Sequence, residues 1–520
     1  MVDNNHCMSR RQFVVGACAT AFAYTTLGQL TGCAASNDNE GTTHDLLTIV
    51  YNDAPNSFDP ANKWDGWYTS CRGLTETLVA FDEQMNLIPC LSTEWTNEDS
   101  LTWRFTIRQG VTFHTGRALT PEAVKASLER SITKSSRAAS KLNAASIDVE
   151  GNDIVITTTK PVATLSGEIA EPVFSIVDVD HVDSDPSRSG TGPYYGENVD
   201  STENFTLSAF ADYWDGAPGV ATLNCQTVTD ANARAMGLRS GDANIAASLL
   251  ANDLTALQHD NNYSILTSES VRQVFMICNF ANEFLADKAV RQALSYATDR
   301  ETLCNNLLGG NIYPNGLPFP SYLSYAQAVE DDAQTYDLDK ANQLLTDAGY
   351  IDSDGDGYRE KNGRKISLTL AYYGTRPELP VLAPALQDAY KQIGVEIVPQ
   401  FYENVDNVYY NGSFDLCLYN TTTIGNGDPS YYLKMYFLST GSENAGKFSN
   451  AELDQIITDM QQNFDQSARF DAAQQAECII LDECPDIFFG TARMNAVCGK
   501  GVSGYEVCPV EYYGVTSHMA

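Results

Sequence analysis

The chain has 520 residues, 43% of them apolar, and its 67 acidic side chains outnumber its 32 basic ones, for a net charge of −35. That length exceeds what one hydrophobic core holds together and points to two or three domains. The negative balance and the lack of any basic run exclude nucleic acid, whose phosphates are bound by Lys and Arg, and disfavour broad contact with anionic lipid.

Residues 1–33 read as an export signal. Ser9, Arg10, Arg11, Gln12 and Phe13 make a twin-arginine-like start, an apolar stretch runs from Phe13 to about Leu30, and Leu30-Thr31-Gly32-Cys33 has the form of a lipobox. The expectation is a signal peptide with a lipobox, lipidation of Cys33, and a flexible polar tether over 34–44. The lipid is then the one attachment to the membrane, and the rest of the chain is extracytoplasmic. A cleaved leader with an incidental cysteine, or a spanning helix, are the alternatives; the stretch is marginal for a span. Either the twin-arginine or the general secretory route is compatible, and Met8 is an alternative start.

Farther along, Trp64, Trp67 and Tyr68 fall in one short segment. Flat, rigid rings suit the wall of a ligand cleft, or a core. Residues 101–108 alternate apolar and polar, as a half-buried strand does. Thr120-Pro121-Glu122 is a helix start, with a capping hydroxyl, proline in the first turn and an acid beside it. Strands are expected at 154–156 and 205–209, and helices over about 290–308 and 338–348. Leu382, Leu386, Ala389 and Ile393 repeat at helical spacing until Gly394, after which 395–398 restart as a strand. The segment 352–357 reads D-S-D-G-D-G like half a calcium loop. Position 12 of that loop is Gly363 rather than Glu, so an acidic turn is the preferred reading.

An apolar strand over 414–420 runs into a loop rich in hydroxyl and amide groups. In α/β folds, polar ligands bind at strand ends of this kind. Tyr419, Asn420, Thr422, Thr423 and Asn426 are therefore candidate ligand contacts together with Trp64, Trp67 and Tyr68, and Asp428 is expected to cap the next helix. Alternating strands and helices imply an α/β fold. Removing Cys7, Cys18 and Cys33 leaves ten cysteines. Cys498 and Cys508 are spaced to close a short disulfide loop, while Cys278 and Cys417 lie in apolar runs and read as buried thiols. The six histidines are scattered, and no nucleophile, phosphate-loop or metal spacing occurs, so neither catalytic residues nor a metal site nor a cofactor is expected.

Five blocks in order resemble one family. Trp103 to Glu122 reads W-R-F-T-I-R-Q-G-V-T-F-H-T-G-R-A-L-T-P-E; Gly190-Thr191-Gly192-Pro193-Tyr194 is a compact turn; Asn279 precedes Asp287-Lys288-Ala289-Val290-Arg291-Gln292-Ala293-Leu294; Ala297-Thr298-Asp299-Arg300 comes next; and Tyr336-Asp337 stands before Lys340-Ala341 and Ala348-Gly349-Tyr350. These are similar to the extracellular solute-binding proteins of family 5, the dipeptide, oligopeptide and nickel group. The resemblance implies a two-lobed fold like the type II periplasmic binding proteins. Lobe I would comprise 45–272 plus 490–520, with a subdomain near 75–188, and lobe II 273–489. It also implies a monomeric, non-enzymatic lipoprotein of an ABC importer that delivers a short peptide or a nickel-type metal chelate to permease subunits. A sensory or chaperone-like lipoprotein on the same scaffold is the alternative.

By the same resemblance, Gly425 stands where peptide binders carry an acid for the α-amino group. Arg137 stands where the nickel branch carries an arginine for chelate carboxylates. No histidine lies between His259 and His518, so a chelate or carboxylated solute fits better than direct nickel coordination. The turn histidine, His114, is expected to be hydrogen-bonded within the scaffold.

Overall fold

In the computed structural model, residues 45–197 and 199–520 are described. The expected leader, the tether and Cys33 lie outside them. Two long antiparallel strands, Tyr263–Cys278 and Asp486–Gly499, form the spine of the main sheet. At ~3.3 Å per residue the first spans about 50 Å, enough to run through two successive packing units. Their register shifts between Glu269 and Gln273 and again between Val274 and Phe275, opposite Gly490 and Phe488. Such irregularities bend a strand and raise its twist. Gly490 is required there: a Cβ would lie 2.0 Å from the Tyr313 carbonyl oxygen.

On one flank of this pair the sheet continues through Leu416–Thr422, Ser367–Tyr373 and Glu396–Tyr402. On the other it continues through Ile245–Ala247, Leu46–Tyr51, Thr222–Thr227, Asn204–Ala209 and Tyr194–Glu197. The strand Leu46–Tyr51 is parallel to both its neighbours. Strands paired in parallel on both sides are covered on both faces, which is why this one is a nearly unbroken apolar run.

A second, four-stranded antiparallel sheet stands apart, in the order Ser92–Asn97, Thr102–Ile107, Asp153–Thr158, Ala144–Glu150. Its central strand alternates as the sequence requires. Trp103, Phe105 and Ile107 point inward, while Arg104 points out to Glu98, Glu150 and Asp153. The helix Pro121–Lys134 covers it, capped by the Thr120 hydroxyl, which accepts from the Ala123 amide. Val124 and Leu128 on its inner face are fully buried, each worth roughly 1.5–3 kcal/mol relative to exposure.

The helix expected over 290–308 is interrupted. An α-helix covers Lys288–Tyr296, and a π-helical segment comes after it at Thr302–Leu307. Arg300 explains the break. Its buried guanidinium donates to the carbonyls of Ser295, Thr298, Gln334 and Phe488, taking up helix-end acceptors that a continuing helix would need. Arg291 works similarly on Leu285, Glu483 and Cys484. The helices Leu338–Asp347 and Leu379–Lys391 form as expected, the second ended by Gly394 at φ +74.

The expected Cys498–Cys508 link does not form; both are free thiols. Cys498 is held in the long strand opposite Ser264, inside the core around Leu47, while Cys508 sits beside Glu506. Cys278 and Cys417 are buried and free, as expected. The segment 352–357 forms an exposed acidic turn in which Asp352 accepts from the Gly355 and Gly357 amides. Among the described residues no helix is long and apolar enough to cross a membrane.

Candidate functional site

The first wall of the cleft is the short helix Asp65–Cys71. Asp65 fixes its start: fully buried, it accepts from the Asn56 amide (2.9 Å), Ser57 Oγ (2.8 Å) and Asn62 Nδ2 (2.7 Å). A buried carboxylate with several donors is satisfied and rigid. Gly66 lets the helix approach the backbone of Pro172, since a Cβ would come 2.5 Å from its carbonyl oxygen. Trp67 and Tyr68 stack with ring centroids 5.6 Å apart. The Trp67 indole donates to the Glu511 carbonyl (2.5 Å), and the Tyr68 hydroxyl donates to Asp53 (3.1 Å). Both rings are thus held by their polar tips and by their mutual stacking, with Arg72 over the Tyr68 ring at 5.0 Å.

The second wall is the end of the strand Leu416–Thr422. Side chains alternate across a strand, so adjacent candidates separate. Asn420 and Thr422 face a cavity of about 510 Å³ that Trp64, Trp67, Tyr68 and Arg137 also border. Tyr419 points the other way, stacked on Tyr409 at 4.6 Å and packed against Phe275 and Tyr373. Thr423 is 1% exposed and gives its hydroxyl to the Val271 carbonyl. These two hold the scaffold and do not line the cavity. Asn426 borders a neighbouring cavity of about 530 Å³, where it donates to Glu168 (2.8 Å).

Asp428 accepts from the Ser430 amide and hydroxyl at the start of the helix Ser430–Tyr436, and also pairs with Arg469 at 2.8 Å with both groups buried. His114 donates from Nε2 to the Gly192 carbonyl (2.8 Å), the scaffold role expected of it.

Arg137 lies over the Trp64 ring at 4.0 Å, forms an ion pair with Glu171, and donates to the Lys63 carbonyl. Its carboxylate-binding face is therefore engaged by a carboxylate of the chain itself. Trp64 remains 59% exposed beneath it.

The groups that sequence reasoning missed sit deeper. The 510 Å³ cavity adjoins one of about 820 Å³, and the shared border is Trp67, Tyr68, Arg272, Arg376, Asn420 and Glu511. Among the described residues the Arg272 guanidinium reaches only Asn420 Oδ1, at 3.5 Å. Asn420 in turn donates to Glu378 (2.6 Å). No hydrogen bond or ion pair to another described residue holds the Arg376 guanidinium or the Glu511 carboxylate. Burial pulls the Arg272 pKa down, with Glu511 opposing. Burial pushes the Glu511 pKa up, against the pull of Arg272 and Arg376. Glu511 also has φ +62. A left-handed conformation at a residue other than glycine is costly, and is kept where the surroundings demand it, often at binding sites. In sequence, Arg272 had one visible signal, a cation inside an otherwise strand-like run. Arg376 and Glu511 had none.

The cations bordering the two joined cavities are all arginines and equal the carboxylates in number, in a chain whose acids outnumber its bases 67 to 32. Planar guanidinium forks match carboxylates. The arrangement can hold an elongated polar solute between aromatic faces on one side and amide and guanidinium groups on the other.

Residues 86–444 match the model of the bacterial extracellular solute-binding proteins, family 5. Among curated proteins, the nickel-binding protein NikA of Staphylococcus aureus is 25% identical over 443 residues, covering 85% of this chain and 88% of its own. The oligopeptide-binding protein AppA of Bacillus subtilis is 26% identical over 459 residues, covering 83% of each. Among solved structures, a nickel ABC transporter protein from Bacillus halodurans superposes with a TM-score of 0.83 at 28% identity, over 92% of this chain and all of that one. The two-lobed α/β fold expected from the sequence is the one shared with these structures.

Proposed function

The chain belongs to the bacterial extracellular solute-binding proteins of family 5, and on that premise we propose that it captures a small carboxylate-bearing solute between two lobes and delivers it to the permease of an ABC importer. Its relatives' names indicate nickel and oligopeptides, and our reading is a short peptide or a nickel-type chelate. Members of the family are transport binding proteins rather than enzymes, and capture requires no covalent step. In our reading the protein is a monomer, held outside the cytoplasm by a lipid on Cys33.

One observation carries this reading. Arg272 and Arg376 border the junction of two cavities and have no carboxylate within ion-pair distance among the described residues. Both arginines are half-buried, and a charged group partly withdrawn from water gains from a counter-charge, which a solute carboxylate would supply. Our lobe boundaries, near 272 and 490, coincide with the register shifts of the two long strands. A hinge there lets Trp67, Tyr68 and Glu511 close on Arg376 and Asn420. A solute touching both sides stabilises the closed form by its differential affinity for it.

The test is native mass spectrometry of the freshly purified protein, with and without added nickel, and then titration of the solute found. Each charge-assisted hydrogen bond is worth about 1.5–3 kcal/mol, so Arg272→Ala and Arg376→Ala should each weaken binding about 10- to 100-fold. Unchanged affinity in both variants would refute carboxylate capture at this junction.

A further inference from the structure

Away from the cleft, one acid is buried with nothing to satisfy it. Glu477, on the helix Gln466–Glu483, is fully buried, and neither carboxylate oxygen has a hydrogen-bond partner among the described residues. Two phenols share this state. Tyr325, on the one-turn helix Ser324–Gln327, and Tyr432, on the helix Ser430–Tyr436, are buried, and their hydroxyls are also unpartnered among the described residues. Both rings pack edge-on against Phe319, with centroids 5.2 and 5.4 Å away. Tyr325 also packs on Phe470, at 5.1 Å. Phe470 stands two turns before Glu477 on the same helix face, and helical side chains tilt back toward the N-terminus. That tilt directs the carboxylate toward the turn on which Tyr325 packs. Burial, and then the Glu477 charge, push the Tyr325 phenol pKa up; at Tyr432 the Glu477 charge acts the same way after burial, Asp486 and Tyr436.

Buried polar groups are nearly always hydrogen-bonded, and an unpaired charge in the interior is costlier still. Burial pushes the Glu477 pKa well above the ordinary carboxylate range. Protonation alone does not complete the group, because a neutral acid beside two phenols would bond to one of them, and Glu477 bonds to neither. The three side chains stand too far apart to satisfy one another directly, yet near enough for the phenols to feel the carboxylate. A small cation among them supplies a counter-charge for the acid and a centre for the phenol lone pairs. Arg469, the buried cation on the same helix, does not serve, since Asp428 engages it. One carboxylate with neutral oxygens suits a single charge. Calcium and magnesium demand more oxygen ligands or retained waters, and the group offers transition metals neither thiolate nor imidazole. We propose that Glu477, Tyr325 and Tyr432 form an interior site for a monovalent cation of the sodium or potassium kind, which clamps together the three helices that carry them.

The test is scanning calorimetry of the whole chain in sodium chloride, potassium chloride or N-methylglucamine chloride at one ionic strength, the last cation being too large for an interior site. At about a hundredfold its dissociation constant, an alkali ion should raise the wild-type melting temperature by about 2–3 °C over N-methylglucamine. Glu477→Gln keeps the shape and loses the charge, so it should melt alike in all three salts. Tyr325→Phe should need roughly threefold more alkali ion for half of the rise, and it carries the test if the glutamine variant does not fold. Crystals grown with thallium(I) acetate, whose ion stands in for potassium, should show anomalous scattering between the Glu477 carboxylate and the two phenols. Three outcomes would overturn the proposal. Wild type could melt alike in the three salts. Both variants could keep the full rise, which would assign it to exposed acids such as Asp352, Asp354 and Asp356. Thallium could scatter only elsewhere.

Discussion

Asp428 and Arg469 are 3% and 5% exposed, and the carboxylate accepts both Nε and Nη2 at 2.8 Å. Asp428 also receives the Ser430 amide and hydroxyl, and Arg469 donates to the Asn463 carbonyl. The pair thus ties the loop carrying Asn426 to the helix Gln466–Glu483. Asp428→Ala leaves a buried guanidinium without its counter-charge, which costs about 3–5 kcal/mol. Unfolding entropy is about 2.1 cal/mol/K per residue, so if residues 45–197 and 199–520 unfold in one step the melting temperature should drop by about 3–5 °C, and by more if the parts melt separately. Asp428→Asn keeps an acceptor for Ser430 and loses only the charge, so it should fall between. Asp428→Ala with Arg469→Met should recover much of the loss, because the uncompensated charge is gone. Differential scanning calorimetry of the four proteins provides the check. An Asp428→Ala variant that melts within about 1 °C of wild type, or a double variant no more stable than Asp428→Ala alone, would refute the idea that burial of an unpaired charge sets the cost.

Glu76 accepts from Tyr213, Thr191 and Trp214, yet burial dominates and pushes its pKa up to about 7. A raised carboxyl pKa stabilises the fold fully below its unfolded value and less as pH rises through the folded one. Urea midpoints should therefore fall between pH 4.5 and 7 more steeply in wild type than in Glu76→Gln; equal slopes would count against it. His114 goes the other way: burial pulls it down to about 4, with the hydrogen bond to Gly192 opposing. Its contribution is present above pH 6.5 and lost as pH falls through 4, and its imidazole signals should show a neutral ring at pH 5.5. A Cβ on Gly167 would lie 2.0 Å from the Asn426 carbonyl oxygen. Gly167→Ala should therefore separate the Glu168–Asn426 contact, enlarge the radius of gyration in X-ray scattering and weaken solute binding; an unchanged scattering profile would argue against it.

Where information was local, sequence reasoning reached the structure. Thr120 caps its helix, the strand around Phe105 alternates, and Gly394 ends a helix, because each depends on residues within a turn or two. The failures share a cause. Tyr419 and Asn420 read alike in the sequence, although adjacent strand residues must face opposite ways, and only packing decides which face meets solvent. The sequence pattern carries the helix through 300 because Arg300 reads as an ordinary helix former. Its break comes from carbonyls at Gln334 and Phe488, far away in the chain. Cys498 and Cys508 are near in sequence, but strand pairing fixes one of them in the core.

The amino-acid order alone determined the alternation of strands and helices, the absence of catalytic spacing and the resemblance to family 5, since periodicity, caps and motif order are written over short spans. Only the tertiary structure decided which charges meet at the cleft. Arg272, Arg376 and Glu511 stand on a long strand, a turn and the C-terminal segment, and have no shared local pattern. The tertiary fold brings them to one cavity border, where half-buried charges of ordinary surface residue types gain from a partner.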